Sequence, residues 1–241
     1  MNKNNTNEVF AGYRTLSQAE FSDLSSRILY EDNHLLVMNK RSGEIVQGDK
    51  TGDEPLCDTL KAYVAQRDQK PGRVFMGVPH RLDRPVSGIA VFAKTSKALE
   101  RLNESFRDGS VQKIYWALVE HAPNPEQGTL VHYLVRNEKQ NKSYAYARPK
   151  TSAKEARLRY ALLRATQRYF LVEVELLTGR HHQIRCQLST IGCPIKGDLK
   201  YGARRSNPDG SISLHARSIS LLHPTRKDRL TIVAPTPLES M

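Results

Sequence analysis

One short segment concentrates charged side chains of both signs immediately before an apolar run. Residues 80–84 read His-Arg-Leu-Asp-Arg, and the apolar residues 89–93 that follow predict a buried strand. Asp83 is flanked by Arg81 and Arg84, whose charges favour the ionised form of its carboxyl group. A carboxylate on a loop beside a rigid strand is well placed to act as a nucleophile. The structural alternative is that Asp83 pairs with the adjacent arginines and ties down the loop.

A second segment combines glycine, arginine and histidine at the predicted start of a helix. Residues 177–185 read Leu-Thr-Gly-Arg-His-His-Gln-Ile-Arg and directly follow a predicted strand. Gly179 is expected to let this strand turn sharply into the helix, whose first backbone N–H groups attract anions. Arg180 and Arg185 add fixed charges that can pair bidentately with a carboxylate or a phosphate.

The same segment contains residue types that bind metals, but their arrangement argues against a metal site. His181 and His182 are adjacent, so on a helix their side chains point in different directions. Cys186 and Cys193 do not form a Cys-x-x-Cys pair. We therefore predict no metal site, and we interpret His182 as a hydrogen-bonding residue of the functional site or as a core histidine.

The composition indicates a globular protein with a polyanionic partner. The chain has 241 residues, enough to bury a sizeable core, and its formal net charge is +12. This excess of positive charge favours nucleic acid as the partner, with a basic surface that serves solubility as the alternative.

The sequence shows neither a disulfide framework nor a membrane segment. Its three cysteines are an odd and sparse set, which suits a reducing compartment. No run approaches the roughly 18 apolar residues of a membrane span, and the polar N-terminus lacks the apolar part of a secretory signal. We expect a soluble cytoplasmic protein with no membrane association.

The most basic stretch covers residues 136–168, where ten Lys or Arg side chains face only two Glu. Tyr144 and Tyr146 are interleaved with these cations in a first half that is interpreted as a loop. Cations mixed with aromatic rings are typical of a nucleic-acid surface. The alternative is a solvated, charged hairpin. The candidate RNA contacts here are Lys142, Arg148 and Lys150.

Hydrophobic periodicity divides the chain into short helices and many strands. The pattern predicts helices over residues 55–66, 96–108 and 184–191. Paired strands are expected at 28–31 with 35–38, at 156–162 with 170–176, and at 214–221 with 230–233, with further strands at 111–119 and 129–135. Residues 1–25 are polar and are interpreted as an N-terminal extension, either mobile or lying as a strap along the surface. One domain, residues 26–241, remains.

Three motifs in this order resemble those of the RluA family of pseudouridine synthases. The segment 80–84 followed by Ser87-Gly88 is similar to the family signature, in which the aspartate is catalytic. The pattern Lys-x-Tyr-x-Ala-Leu at 113–118 resembles the second motif, and residues 179–185 resemble the third. Val86 stands where the family has threonine. The resemblance extends over residues 27–238, without room for the S4-type RNA-binding module of many relatives.

The resemblance implies a fold and an activity. The fold is of the α+β class: a mixed, mainly antiparallel sheet with flanking helices and a basic active-site cleft, covering residues 26–241. The activity is the isomerisation of a uridine in ribosomal or transfer RNA to pseudouridine. This reaction changes no oxidation state and transfers no group, so we expect no cofactor. RNA is the implied partner, and no obligate protein partner is implied.

The resemblance also implies roles for individual side chains. Asp83 would act at the sugar, either by covalent addition to C1′ or by a glycal route. Tyr115 would pack on the base and take part in the removal of the C5 proton. Arg185 would pair with Asp83, which agrees with the cationic partner that a buried carboxylate needs. The base would leave its stack, and Arg81 would occupy the space. The residues expected to contact RNA are Arg81, His80, Arg84, Arg180, His182, Lys142, Arg148 and Lys150.

Two other classes of function compete with this hypothesis. A non-catalytic RNA-binding or ribosome-assembly protein could use the same scaffold, although binding alone does not require the Asp83 carboxylate. A nucleic-acid glycosidase would use paired carboxylates or an activated water. Asp83 has no second carboxylate near it in sequence, so that alternative depends on a distant residue that folding brings close.

Overall fold

The fold is built on one mixed β-sheet with helices packed against it, in a computed structural model that describes residues 12–240. Its strands are β1 Ile28–Glu31, β2 Leu35–Lys40, β3 Ser87–Ala93, β4 Gln112–Val119, β5 Gln127–Asn137, β6 Lys142–Tyr146, β7 Lys154–Ala165, β8 Phe170–Leu176, β9 Leu214–Leu222 and β10 Arg229–Val233. Its α-helices are α1 Gln18–Ser26, α2 Leu56–Arg67, α3 Ser96–Asp108 and α4 Gln183–Thr190.

The strand order brings distant parts of the chain side by side. Across the sheet the order is β1-β2-β3-β9-β4-β8-β7-β5-β6, and β10 pairs with the second half of β9. Among the described strands, β3 and β9 run parallel, and the other neighbours are antiparallel. A mainly antiparallel mixed sheet with helices confirms the predicted α+β class.

The periodicity-based predictions of local structure hold where caps and alternation are strong. The side chain of Thr95 accepts a hydrogen bond from the Ala98 N–H at 3.2 Å and begins α3, and Gly109 ends it with φ 79°. Leu158 and Tyr160 of β7 are buried while the alternating Arg157 is exposed. This strand and β8 form the predicted hairpin, which is confirmed.

The prediction of a loop in the first half of the basic stretch is wrong. Residues 142–146 form β6, which pairs with β5 from Tyr133 to Asn137. Ser143 is buried, and Ala145 packs against a small apolar cluster beside α4, so the inward positions of this strand carry small side chains. Small and polar residues give little hydrophobic alternation, and the strand signal is therefore weak.

The segment interpreted as an N-terminal extension is partly integrated into the domain. Leu16 and Leu24 are buried, and the Tyr13 hydroxyl bonds the Val74 carbonyl oxygen at 3.2 Å. Helix α1 begins at a capping box formed by Ser17 and Glu20. The predicted boundary at residue 26 is therefore not a boundary in the packing. Residues 1–11, which belong to the same prediction, lie outside the described residues.

Cys57, Cys186 and Cys193 are free and buried. Within residues 12–240, no helix is long and apolar enough to cross a membrane.

A close approach of two backbones joins the candidate catalytic loop to the centre of the sheet. Gly88 at the start of β3 has φ 110°, and a Cβ atom at this position would lie 2.4 Å from the carbonyl oxygen of Ala216 in β9. Only glycine fits this conformation and this distance. Because Ala216 also pairs with Tyr115 of β4, the contact brings the loop before β3 close to the second motif.

Candidate active site

Asp83 lies in a tight turn that leads into β3. The backbone N–H of Val86 donates to the Asp83 carbonyl oxygen at 3.0 Å and closes the turn. Val86 is buried, so the apolar side chain in place of the family's threonine packs into the core. The Asp83 side chain is 33% exposed, so the prediction of a buried carboxylate is wrong, because this turn lies at the surface. A partly exposed carboxylate on a braced loop is accessible to a substrate.

The cationic partner of Asp83 comes from the helix of the third motif. Arg185 in α4 donates from Nη1 to Asp83 Oδ2 at 3.2 Å, although 102 residues separate them in the sequence. The other edge of the guanidinium binds Asp198 bidentately, with distances of 2.7 Å from Nε and 2.8 Å from Nη2. Arg185 and Asp198 are 5% and 1% exposed. Burial opposes the charge of Arg185, but the two carboxylates outweigh it and raise the pKa of the guanidinium.

The arginines adjacent to Asp83 do not neutralise it. Arg84 turns to the loop after β2, where Nη1 lies 2.7 Å from Asp53 Oδ2 and Nη2 donates to Thr51 Oγ1 at 2.7 Å. Arg81 is exposed and forms no ion pair with the described residues. The structural alternative, in which local arginines hold Asp83, is therefore excluded. RNA contacts of Arg81 and Arg84 remain predictions, and Arg84 would have to exchange its present partners.

His182 occupies the turn between β8 and α4. Its φ is 52°, in the left-handed region, so the sharp turn predicted at Gly179 occurs at His182 instead. Its Nε2 lies 3.5 Å from Asp83 Oδ2, and its Nδ1 lies 3.0 Å from the Tyr201 hydroxyl. Burial, followed by the charge of Arg185, lowers the pKa of His182 to about 2, so the ring is neutral.

Tyr115 faces the same region from β4. It is 8% exposed and lies at an irregularity in the pairing of β4 with β9. Burial raises the pKa of its hydroxyl, and the negative charge of Asp83 acts in the same direction. Ala216 of β9 pairs with Tyr115 on one side and with Gly88 on the other, so Tyr115 lies one strand away from the start of β3, where the Asp83 turn ends. A small cavity at this position is lined by His80, Ile89, Lys113, Tyr115, Ala216, Ser218 and Ile219.

The structure thus brings Asp83, Tyr115, His182 and Arg185 into one region, although three separate motifs supply them. Comparison with known proteins then assigns the chain to a family. The sequence profile of the RNA pseudouridylate synthase family matches residues 34–190. The chain belongs to this family. It is an isomerase, an RNA pseudouridine synthase.

Relatives of the synthase align with most of the chain. Over 223 residues it is 33% identical to the ribosomal large subunit pseudouridine synthase C of Vibrio cholerae, covering 90% of this chain and 68% of that protein. It is 33% identical over 222 residues to the uncharacterized RNA pseudouridine synthase YlyB of Bacillus subtilis, covering 91% of this chain and 71% of that one. The structure of human RNA pseudouridylate synthase domain containing 4 superposes with a TM-score of 0.75 at 27% identity, covering 91% and 92% of the two chains.

His80 of the synthase supports the sheet in this structure. The backbone N–H of Val91 donates to His80 Nε2 at 2.9 Å, and the ring stacks on Phe106 of α3 with a centroid distance of 4.8 Å. Burial lowers the pKa of His80 to about 4, and the ring is neutral. The RNA contact expected of His80 remains a prediction; in this structure the half-buried ring bonds the backbone of β3 and packs on α3.

Lys40 is a buried lysine whose ammonium group is bound by backbone carbonyl groups. It is 1% exposed, and its Nζ donates to the carbonyl oxygens of Arg41, Glu44 and Arg84 at 2.7, 2.8 and 3.2 Å. Burial lowers its pKa to about 8, although Glu44 and Asp83 favour the charge. Lys40 therefore ties the loop after β2 to the turn that carries Asp83.

The basic stretch presents its cations on the outer face of β6. Lys142 Nζ lies 5.5 Å from the Tyr144 ring centre and 5.2 Å from that of Tyr201, beside the site. Lys150 Nζ lies 4.4 Å from the Tyr146 ring centre, and Arg148 is exposed. Arg180 is exposed as well, with its Nε bonded to the Glu155 carbonyl oxygen at 2.8 Å.

The histidines of the third motif have partners other than a metal. His181 Nδ1 lies 2.9 Å from Ser143 Oγ, and its Nε2 lies 3.1 Å from Asn141 Oδ1. Its ring stacks on His182 with centroids 3.7 Å apart. In residues 12–240, no group of three or more His, Cys, Asp or Glu side chains could hold a metal ion.

Two residues of the site were missed from the sequence, Asp198 and Tyr201. Both lie in the loop after α4, within the stretch Lys-Gly-Asp-Leu-Lys-Tyr-Gly at 196–202. The sequence signal for this segment is its two glycines, which are typical of tight turns. In the structure, Gly197 and Gly202 have φ of 90° and 97°, in the region that favours glycine.

Proposed function

We propose that the synthase uses Asp83 as its catalytic carboxylate and isomerises a specific uridine in ribosomal or transfer RNA. The observation that carries this proposal is one partly exposed carboxylate bound at 3.2 Å by a buried arginine that a different motif supplies. The name of the Vibrio cholerae relative favours large-subunit ribosomal RNA among the two substrate classes.

The reaction places few demands on the protein beyond position and charge. The N1–C1′ bond of uridine breaks and a C5–C1′ bond forms, while the base loses a proton at C5 and gains one at N1. No oxidant, reductant or co-substrate enters this balance. Asp83 supplies a negative charge at the sugar, and Arg185 directs that carboxylate.

The base would occupy the space in front of Asp83, next to Tyr115. A uridine inside structured RNA must leave its stack to reach a carboxylate on a folded loop. Arg81 is exposed beside Asp83 and has no ion-pair partner among the described residues, so it is free to fill the space that the base leaves. The Tyr115 ring would pack on the extruded base.

The RNA backbone would run from the site along the outer face of β6. Arg136 lies close enough to lower the pKa of both His181 and His182, although burial is the larger cause. Lys200 adds to this positive potential at His182, and Lys142 lies beside Tyr201. Cations from several elements thus surround the site, which suits phosphate groups.

The test is pseudouridine mapping of total RNA, by carbodiimide modification and primer extension, in cells with and without the gene. We expect one or more sites to vanish and to return with the wild type but not with Asp83→Asn. Asp228→Asn, an exposed aspartate in the turn between β9 and β10, is the matched control and should restore them. Restoration by Asp83→Asn would remove Asp83 from the catalytic role, and no changed site would favour a non-catalytic RNA-binding protein.

One observation bears on a glycosidase role: folding brings a second carboxylate, that of Asp198, close to Asp83. Asp198 shares Arg185 with Asp83. Asp198 is 1% exposed and both of its oxygens accept from Arg185, so it has no access to a water that would attack the sugar. Assays on RNA should accordingly release no free uracil.

A further inference from the structure

The hydroxyl of Tyr201 sits behind His182 on the side opposite Asp83. Tyr201 belongs to the short 3-10 helix Leu199–Tyr201 and is 4% exposed. Its hydroxyl lies 3.0 Å from His182 Nδ1, while His182 Nε2 lies 3.5 Å from Asp83 Oδ2. The imidazole thus stands between the phenol and the carboxylate: its Nδ1 is hydrogen-bonded to the Tyr201 hydroxyl, and its Nε2 approaches Asp83 Oδ2 to 3.5 Å, longer than a normal hydrogen bond.

The hydrogen-bond directions in this row follow from counting protons. The backbone N–H of Ser143 donates to the Tyr201 oxygen at 2.8 Å, so that oxygen already accepts one bond. The single proton of the phenol can then go to His182 Nδ1, which makes Nδ1 an acceptor and leaves the proton of the neutral ring on Nε2. That N–H lies on the side of the ring that faces Asp83, with Nε2 3.5 Å from Oδ2.

The opposite assignment leaves two conflicts. With the ring proton on Nδ1, the phenol proton would lose its acceptor in a buried position. The lone pair of His182 Nε2 would also face the lone pairs of Asp83 Oδ2 at 3.5 Å. Buried polar groups are rarely left without partners, so the first assignment is strongly favoured.

The surroundings hold this geometry in place. The ring planes of Tyr201 and His182 meet edge to face at 82°, with centroids 5.6 Å apart. The Arg185 guanidinium lies 5.1 Å from the Tyr201 ring centre, and Ser189 Oγ donates to the Tyr201 carbonyl oxygen at 2.6 Å. The φ of 52° at His182 is uncommon for a residue with a side chain, and such conformations cluster at functional sites.

We propose that Tyr201 is a positioning residue of the synthase: it fixes the Nε2–H form of His182, which keeps a second N–H donor next to the Asp83 carboxylate, beside Arg185. Two donors from adjacent directions restrict the rotation of the carboxylate and select the oxygen that faces the sugar. The inference rests on the proposed catalytic role of Asp83, and its first test needs no turnover.

The first test is the tautomer of His182 in the free enzyme, read by long-range proton–nitrogen NMR of protein labelled with ¹⁵N-histidine, with the signal assigned by its loss in His182→Ala. We expect Nε2 to carry the proton and Nδ1 to be the acceptor. Tyr201→Phe should shift the Nδ1 resonance, and Tyr30→Phe, which removes a phenol at the far end of the sheet, should leave it unchanged. A proton on Nδ1 in the wild type would overturn the proposal.

The second test is a double-mutant cycle on turnover of substrate RNA. We expect Tyr201→Phe to lower kcat about tenfold, the rate equivalent of one net hydrogen bond, with KM within about twofold. In His182→Ala, the further change Tyr201→Phe should have no effect on kcat, because Tyr201 acts through His182. Additive losses, or a loss confined to KM, would overturn the proposal. Tyr30→Phe is the control and should change thermal stability but not kcat.

The two tests separate this inference from the proposed function. If Asp83→Asn retained activity, the catalytic role of Asp83 would fail while the NMR result still decided the tautomer. If Asp83→Asn is inactive and Tyr201→Phe matches the wild type in kcat, the function stands and the role of Tyr201 is refuted.

Discussion

The two polar regions of the synthase are constructed in opposite ways. Around Asp83, the side chains of His182, Arg185, Asp198 and Tyr201 are buried and joined by directed hydrogen bonds. On β6 and in the loop after it, by contrast, Lys142 is half-buried, Arg148 and Lys150 are exposed, and the two lysines lie over tyrosine rings rather than carboxylates. The first region fixes geometry before a substrate arrives. The second leaves its charges available for a partner.

The difference indicates how the work of the protein is divided. Buried charge pairs contribute little net stability compared with apolar residues of the same shape, so their retention near Asp83 indicates a role in orientation. Exposed lysines can follow an irregular phosphate backbone, and they act through potential rather than fixed geometry. Changes in the first region should therefore affect stability and turnover, and changes in the second should affect affinity and its salt dependence.

The largest effect is expected from Arg185→Met. It leaves Asp198 buried without its cation, which should lower the free energy of unfolding by about 3–5 kcal/mol in urea titrations. Arg226→Met is the control: its side chain is 48% exposed and pairs with Asp32 and Asp228 at the surface, so it should lower the free energy of unfolding much less than Arg185→Met does.

The double variant Arg185→Met/Asp198→Leu sharpens the comparison. Replacing both members of a buried pair by apolar residues should recover most of the lost stability. Turnover should stay as low as in Arg185→Met alone, because Asp83 still lacks its directing donor. Recovery of turnover together with stability would show that the pair serves folding only.

A decrease in the free energy of unfolding of similar size is expected when the pH is lowered, because His80 is neutral in the folded protein. Its pKa is lowered from 6.5 to about 4 in the folded protein, so between these values the unfolded chain binds a proton that the folded chain does not. Stability is therefore lost as the pH falls through this range, by about 3 kcal/mol at pH 4. His80→Gln, whose amide oxygen can accept from Val91, should give a shallower fall of unfolding free energy between pH 6.5 and 4. An unchanged slope would contradict the neutral, buried ring.

These regions also differ in how far the sequence could predict them. Strong alternation predicted the hairpin of β7 and β8, and cap residues predicted α3, because both signals are local. The pairing of Asp83 with Arg185 came from the resemblance of motifs that lie 102 residues apart. No periodicity contains that information.

Residues with non-local roles could not be assigned from the sequence. Lys40 is an ordinary lysine in the sequence, and its burial depends on three carbonyl groups from two loops that meet only in the fold. Asp198 and Tyr201 lie outside the recognised motifs and acquire their roles from the side chains in front of them. Strand β6 has small inward residues, so its alternation was too weak to detect.

A moderate effect is expected from neutralising the outer cations. The triple variant Lys142→Gln, Arg148→Gln and Lys150→Gln should weaken RNA binding about tenfold or more near 150 mM salt and reduce the slope of log K against log salt by about 2. The control triple, Lys70→Gln, Lys97→Gln and Lys227→Gln, removes the same charge from the loop after α2, from α3 and from the turn between β9 and β10. Equal slopes in the two triples would show that β6 and the loop after it do not lie on the RNA.

The smallest effect on RNA affinity is expected from substitutions of Tyr144. They also test whether RNA binding and turnover depend on separate regions. Its side chain is exposed on the outer face of β6, within cation–π distance of Lys142. If the RNA follows this face, a base can stack on the ring, and Tyr144→Ala should cost about 1 kcal/mol of binding, roughly fivefold in Kd. Tyr144→Phe keeps the ring and should bind as the wild type does, while kcat should be unchanged in both variants because the ring makes no contact with the network around Asp83. Equal losses for Phe and Ala would assign the contact to the hydroxyl group, and a loss of kcat would break the separation between holding the RNA and directing the carboxylate.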